Sequence, residues 1–380
     1  MQGKAAYLSR LYSRIRMRTA NFSEKMSGSS PPSVFVGRFG YPKVFVGPLL
    51  PHQHGDTSTM DLPESWLGTG HQAADVIDLR TQLVRGKQLV GVRDRGKTVE
   101  IMQSVALAKR PLDMQAEFEK KPVGRFIHEE AQPFGPSAPI RHLEVSNEKL
   151  HPRLEKFYHD TDAKAAEAVI TLYEKDLPVS TLQKALSVGA FGMERNRRLV
   201  PTRWSITAVD DTLSKHLLEA IRTYPVIEDY QVYEYEAMNN YFAVLLMPMR
   251  WQYESMEAFM HIFGREELLF SDWEPYGGRK EYAAIGGCYY SGRLAIAEKL
   301  HEMGRQAGAI VFRDVYSGYI PLGVWLVREC MRNAMNAAPK RFSVRQPALA
   351  YISSKLRLPF WRYRQASALL KQRNLAYYAH

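Results

Sequence analysis

Residues 33–47 read Ser33-Val34-Phe35-Val36-Gly37-Arg38-Phe39-Gly40-Tyr41-Pro42-Lys43-Val44-Phe45-Val46-Gly47. Val-Phe-Val-Gly appears twice, ten positions apart, and Arg38 to Pro42 between the copies supplies turn residues. Two short β-prone runs around Gly and Pro predict a β-hairpin. Immediately before it, residues 27–32 (SGSSPP) read as a punctuated linker. After it, Pro48, Pro51, Gly55 and Pro63 predict a long ordered loop.

Further along, residues 75–85 read as a short helix or strand, and residues 131–142, with Pro133, Gly135, Pro136 and Pro139, as a boundary or crossing. Residues 160–176 hold good helix formers with Asp and Thr at the start and Pro178 beyond the end. Ser180 and Gln183 have capping-box spacing, and Gly189 supplies a stop. A helix over 211–223 ends before Pro225, and residues 231–237 and 241–247 read as strands joined through Met238-Asn239-Asn240. Helices are expected around 255–263, 291–303 and 322–336, with a strand at 309–315. The intermixing predicts an α/β or α+β fold: a mixed sheet with packed helices, a hairpin near the N-terminus, and basic extended or helical ends.

The 380 residues are 45% apolar and 24% charged, a globular composition. The two cysteines, Cys288 and Cys330, form no CxxC motif, so neither a disulfide scaffold nor a cysteine zinc site is expected, a pattern that fits a reducing compartment. No apolar run reaches the roughly 18 residues of a spanning helix. The expected setting is cytoplasmic and nucleoid-associated, with no membrane partner, although the Arg- and Ser-rich start also has the composition of a transit peptide. The formal charge of +11 is unevenly placed: residues 1–28 carry a net +5, residues 330–380 a net +10 with no acid, and the body between them −4. Cationic ends attract polyanions, so nucleic acid is the expected partner.

Several constellations could carry chemistry. His52-x-His54-x-Asp56 resembles the start of a metallo-hydrolase signature, broken by Thr57, with His71 as a distant ligand. His128-Glu129-Glu130 lacks zincin spacing. Asp210 and Asp211, with Glu254, could hold Mg²⁺ or Mn²⁺ for phosphodiester chemistry; the alternative is that Asp211 or Thr212 caps a helix. Arg195, Arg197, Arg198 and Arg203, beside Trp204, suit phosphate and base recognition, with Arg38, Arg293, Arg362 and Arg364 as further contacts. Gly286-Gly287 before a helix could offer N–H groups to an anion. No P-loop, nucleophile elbow, GxGxxG or EF-hand pattern occurs.

The stretch from Gly28 through Gly47-Pro48-Leu49 resembles the opening signature of the Nre family, DNA-repair proteins known mainly from archaea. Leu199-Val200-Pro201-Thr202-Arg203-Trp204-Ser205-Ile206-Thr207-Ala208-Val209-Asp210-Asp211 is similar to a second block of that family. Pro321-Leu322-Gly323-Val324-Trp325 with Val327-Arg328-Glu329, and Gly286-Gly287 with Tyr289-Tyr290 and Arg293, resemble two more. The resemblance implies a DNA-damage role, with a basic arm at 1–28, N-terminal and C-terminal family domains at 29–240 and 241–336, and a basic tail at 337–380.

It also implies a C-terminal motif that docks on a sliding clamp. Gln372, Leu375 and Tyr378 fit its spacing, but Ala379 stands where the second aromatic belongs and the pair Tyr377-Tyr378 comes one position early. Many members carry an N-terminal cysteine cluster; residues 1–28 have no Cys, so zinc is not expected. Arg10, Arg14, Arg16 and Arg18 are then candidates for that module's DNA contact. Three readings stand: a DNA-binding repair factor, a metal-dependent nuclease or other hydrolase, and an RNA-binding or RNA-processing factor. The oligomeric state is not legible.

Overall fold

The computed structural model describes residue 7 and residues 22–124, 132–147 and 149–372. Arg10, Arg14, Arg16, Arg18, His128-Glu129-Glu130, Leu375, Tyr377 and Tyr378 lie outside the described residues. The chain forms two compact units: Ile15–Leu213 with Pro321–Trp325, and Ser214–Ile320 with Met1–Arg14 and Leu326–His380. The mixed α/β expectation holds in both.

The first unit contains a six-stranded sheet in the order β1-β5-β6-β4-β3-β2. Its strands are β1 (Lys25–Ser30), β2 (Val34–Val36), β3 (Lys43–Leu50), β4 (Val84–Gly91), β5 (Leu112–Phe118) and β6 (Ser137–Val145). The duplicated motif forms the expected hairpin, with Phe35 opposite Gly47 and Val36 opposite Val46. Side chains alternate as a pleat demands. Val34, Val36, Val44 and Val46 are buried, while Phe35 is half-buried and Phe45 exposed. Where β3 meets β4 the backbones nearly touch, and a Cβ on Gly47 would lie 1.9 Å from the Gly86 carbonyl oxygen. Only glycine fits that approach.

Three expectations change here. Residues 27–32 are no linker: Ser27 to Ser30 belong to β1, paired antiparallel with β5. The buried serines are tolerated because each has an acceptor, such as the Leu49 carbonyl 2.6 Å from Ser30 Oγ. Residues 131–142 overlap β6, which pairs with β4 and β5 inside the sheet. The helix expected over 160–176 forms only over Ala165–Tyr173, after a separate helix Pro152–His159. Between them the Asp160 carboxylate accepts from the Asp162 and Ala163 amides at 3.0 and 2.9 Å. A short acid that bonds its own backbone competes with helix.

The Ser180/Gln183 capping box does not form either. The Glu64 carboxylate instead accepts from Ser180 N and Oγ, both at 2.7 Å. Helix Thr202–Ile221 begins directly after Pro201, nine residues before the expected start, so neither Asp211 nor Thr212 is a cap.

The second unit contains a sheet in the order β10-β9-β11-β8-β7-β12. Its strands are β7 (Tyr230–Ala237), β8 (Asn240–Met247), β9 (Gln252–Phe259), β10 (Leu268–Glu274), β11 (Gly308–Val315) and β12 (Lys340–Phe342). The β7–β8 hairpin forms as expected, through Met238 and Asn239 at φ 49° and 60°. That positive-φ pair matches the strand twist. The predicted boundary at 240/241 falls inside β8.

Residues 255–263 are not helical. They overlap β9, a central strand buried along almost its whole length between β10 and β11. Helices Gly287–Met303 and Trp325–Asn336 agree with expectation. Much of the basic tail is built into this unit. Helices Arg345–Lys355 and Phe360–Ala366 bring Ala348, Ile352, Leu358 and Tyr363 into the same buried cluster as Leu245, Met256 and Phe312. Among the described residues no helix is long and apolar enough to cross a membrane.

Candidate nucleic-acid interface

Alternation along β2, β3 and β4 puts valines on the core face and Phe35, Phe45, Arg85 and Lys87 on the other. Arg85 and Lys87 are two apart on β4 and therefore share a face. With Arg38, Phe134 and Arg203 they line a cleft of about 430 Å³. The Val36 amide donates to Thr202 Oγ1 at 3.0 Å, which ties β2 to the start of helix Thr202–Ile221. The positive end of that helix dipole faces the cleft edge and adds to its potential.

Arg85 is the central feature. Its guanidinium lies 4.9 Å from the Phe35 ring centroid and 4.6 Å from that of Phe134. Its Nε is buried and makes no hydrogen bond among the described residues. Burial, then the neighbouring Arg80 charge, pushes its pKa down to about 10. Lys87 is also lowered, by burial and then by Arg85 and Lys120, and its ammonium sits 5.9 Å from the Phe45 ring. No Asp or Glu lines the cleft among the described residues. A guanidinium held between two rings without a counterion is costly in the empty state and favours an anion.

The rim is aromatic and wet. Phe39 is 80% exposed at the hairpin tip beneath the Arg38 guanidinium, 4.8 Å from its ring centroid. Tyr41 and Trp204, both exposed, lie 5.3 Å apart by ring centroids. Flat rings beside cations form a stacking platform for bases.

The arginines singled out by density separate into different roles. Arg38 and Arg203 line the cleft, and Trp204, the next residue after Arg203, is exposed. Arg195 and Arg198 are exposed on a loop outside it. Arg197 is structural: it donates to the Gly192, Tyr158 and Phe157 carbonyls at 2.7, 2.6 and 3.1 Å, and to that of Asp160. It thereby closes the C-terminal turn of helix Pro152–His159. In the second unit Arg293 is fully buried against Glu274 at 2.7 Å, with Ser214 at 3.1 Å. Arg362 is held by Glu267 at 2.7 Å, while Arg364 is exposed. Gly286, at φ 75°, precedes helix Gly287–Met303.

The acids are likewise engaged. Asp210 is buried in mid-helix and accepts from Gln183 Nε2 at 3.1 Å. Asp211 is adjacent and, at helical spacing, turns away from it. Glu254 is buried in β9 and accepts from Ser271 Oγ at 3.1 Å, the Ala368 and Leu369 amides at 2.7 and 3.0 Å, and Ser367 Oγ. It anchors the C-terminal segment. His54 sits between Ser27 and Asp113, both at 3.2 Å, and His52 stacks on Phe22. Asp56 caps the Ser58 amide at 3.0 Å, the bond that chiefly lowers its pKa. His71 pairs with Thr69 at 2.7 Å. Among the described residues no group of three or more His, Cys, Asp or Glu side chains is placed to hold a metal ion. Gln372 bonds Gln252 through paired amides at 3.3 and 3.0 Å.

The site residues that sequence reasoning missed are Arg85, Lys87, Phe45 and Phe134. The available signal was Arg85-Gly86-Lys87, two cations at strand spacing beside a glycine.

The first unit thus carries a basic cleft lined by aromatic rings on a mixed α/β scaffold. The chain belongs to the Nre family: the archaeal Nre N-terminal model matches residues 3–262 and the archaeal Nre C-terminal model residues 274–377. It is 42% identical over 352 residues to a protein of Archaeoglobus fulgidus named DNA repair protein NreB, covering 91% of this chain and 89% of that one. It is 33% identical over 354 residues to DNA repair protein NreA of the same organism, with the same coverage. DNA repair protein NreA of Haloferax volcanii is 35% identical, over 82% of this chain and 78% of that one. No solved structure matches.

Proposed function

We propose that this chain is a DNA-repair factor that binds DNA through the basic, aromatic face of its first compact unit, without hydrolytic chemistry of its own. The observation that carries the reading is Arg85, held between Phe35 and Phe134 beside Lys87 with no acid in the cleft among the described residues. The names of the relatives supply the repair context. The basic ends add a sequence-independent attraction to phosphates. A metal-dependent nuclease draws less support, because Asp210 and Glu254 are each buried in hydrogen bonds to neighbouring protein groups.

The test is a titration of single-stranded, duplex and branched DNA and RNA, with and without Mg²⁺ or Mn²⁺, read for both binding and cleavage. The expected result is salt-dependent DNA binding without metal, no strand scission, and at least a tenfold loss of affinity in Arg85→Met. Absence of DNA binding near physiological salt, or cleavage abolished by Asp210→Ala, overturns the reading. Recruitment by a sliding clamp through Gln372, Leu375, Tyr377 and Tyr378 is a further proposal, resting on spacing alone. A chain truncated after residue 371 is expected to lose clamp binding and to keep DNA binding.

A further inference from the structure

We propose that the cleft accepts a single unpaired nucleotide, its base against the phenylalanine rings and its phosphate on Arg85 and Lys87. This rests on the DNA-binding reading and specifies what enters the cleft.

Size comes first. At about 430 Å³ the cleft is near the lower end of small-ligand sites, which run roughly 300–1,000 Å³. It has room for one nucleotide and not for a base pair. Chemistry is next. Phe35 and Phe134 meet edge-to-face at 5.3 Å, and both pack on Arg85, whose Nε makes no hydrogen bond among the described residues. Planar N–H donors match phosphate oxygens. Lys87, on the same strand face, is a second point charge for the same anion.

The charge balance points the same way. The fully buried arginines have acids: among them Arg80 meets Asp61 at 2.5 Å, Arg293 meets Glu274 at 2.7 Å, and Arg313 meets Glu257 at 2.7 Å, whereas Arg85 is half-buried. Arg85 has none among the described residues, and burial, then the neighbouring Arg80 charge, lowers its pKa. A phosphate supplies the missing counter-charge. Phe45 and Phe39, exposed at the mouth, give the base an aromatic path inward.

One chemistry has two sources, a nucleotide swung out of a duplex or the last nucleotide of a strand. The full chain is titrated into three 2-aminopurine probes: a duplex with the probe opposite an abasic site, a single strand with the probe at a 5′ end with or without a 5′-phosphate, and a fully paired duplex. Transfer of the base from its neighbours to the cleft is expected to change its emission at least twofold. A change with the first probe assigns an extruded internal nucleotide; one with the phosphorylated end alone assigns a strand terminus. Lys87→Gln and Phe134→Ala are expected to remove the change at DNA concentrations that saturate binding of each variant. Circular dichroism confirms that each variant is folded.

DNA bound with no emission change on the first two probes overturns the inference and leaves the DNA-binding reading standing. So does a change that both variants preserve. Absence of any DNA binding overturns both.

Discussion

Two arginine-lined hollows of similar size among the described residues of the first unit differ in what their arginines face. One, about 390 Å³, is lined by Arg95, Arg197 and Arg198 together with Asp94, Glu100 and Glu194. There Arg95 pairs with Glu194 at 2.7 Å and Arg197 is spent on backbone carbonyls. The other, about 430 Å³, holds Arg38, Arg85, Lys87 and Arg203 among phenylalanines with no acid among the described residues. The first is the denser cluster in sequence and the weaker candidate in space. What separates a binding arginine from a structural one is compensation, a tertiary property that local charge density does not report.

The comparison is sharpest between Arg80 and Arg85, five residues apart. Arg80 is buried, meets Asp61 and donates to the Pro133 carbonyl at 3.2 Å. Arg80→Met leaves a buried carboxylate short of its main partner and is expected to destabilise the protein by about 3 kcal/mol, read by chemical denaturation. Arg85→Met is expected to act in the opposite sense on stability. Removing a desolvated, unpaired charge and keeping the apolar stem raises stability by about 1 kcal/mol, while DNA affinity falls at least tenfold. If both substitutions destabilise equally, the distinction between the two sites is lost.

Smaller effects sharpen the same contrast. Trp204→Ala removes a stacking surface and is expected to weaken single-stranded DNA binding by about 1 kcal/mol, with little change for duplex. Lys87→Gln is expected to lower the slope of log affinity against log salt by about 0.7–0.9, the share of one phosphate. Arg195→Ala and Arg198→Ala are expected to change affinity less than threefold, because neither lies in the acid-free cleft.

The pH dependence follows from the Arg85 shift. Its folded pKa, about 10, lies below the ordinary arginine value, so its charge costs stability at neutral pH. As pH rises through 10 the folded state sheds that proton before the unfolded chain does. The stability of the native protein therefore gains on Arg85→Met, and the gap between them narrows. Denaturation of both proteins at pH 8, 9 and 10 checks the sign.

Much of the fold was legible where local pattern and environment agree. The duplicated Val-Phe-Val-Gly announced its hairpin because both copies alternate β-branched residues with Phe around turn residues. The β7–β8 hairpin was equally plain. Strand β9 was misread because its polar positions looked like the wet face of a helix. Glu254 and Glu257 are buried, satisfied by the amides of Ala368 and Leu369 and by Arg313. Those partners are more than fifty residues away in sequence. Helix Thr202–Ile221 was started late because Asp210-Asp211 imitates a cap, whereas Pro201 was the better signal.

Half of the site was legible in the same way. Arg38 and Arg203, which line the candidate cleft, sit within motifs conspicuous in the chain, as does Trp204 next to Arg203. Arg85 and Lys87 were not, because nothing local tells that a strand arginine packs on two rings with no acid beside it among the described residues.

The most direct measurement is therefore the paired stability and DNA affinity of Arg85→Met against the native chain. A variant that is more stable and binds DNA at least tenfold more weakly is the predicted result. A variant that binds DNA as tightly as the native chain would contradict the assignment of this cleft as the DNA-binding site.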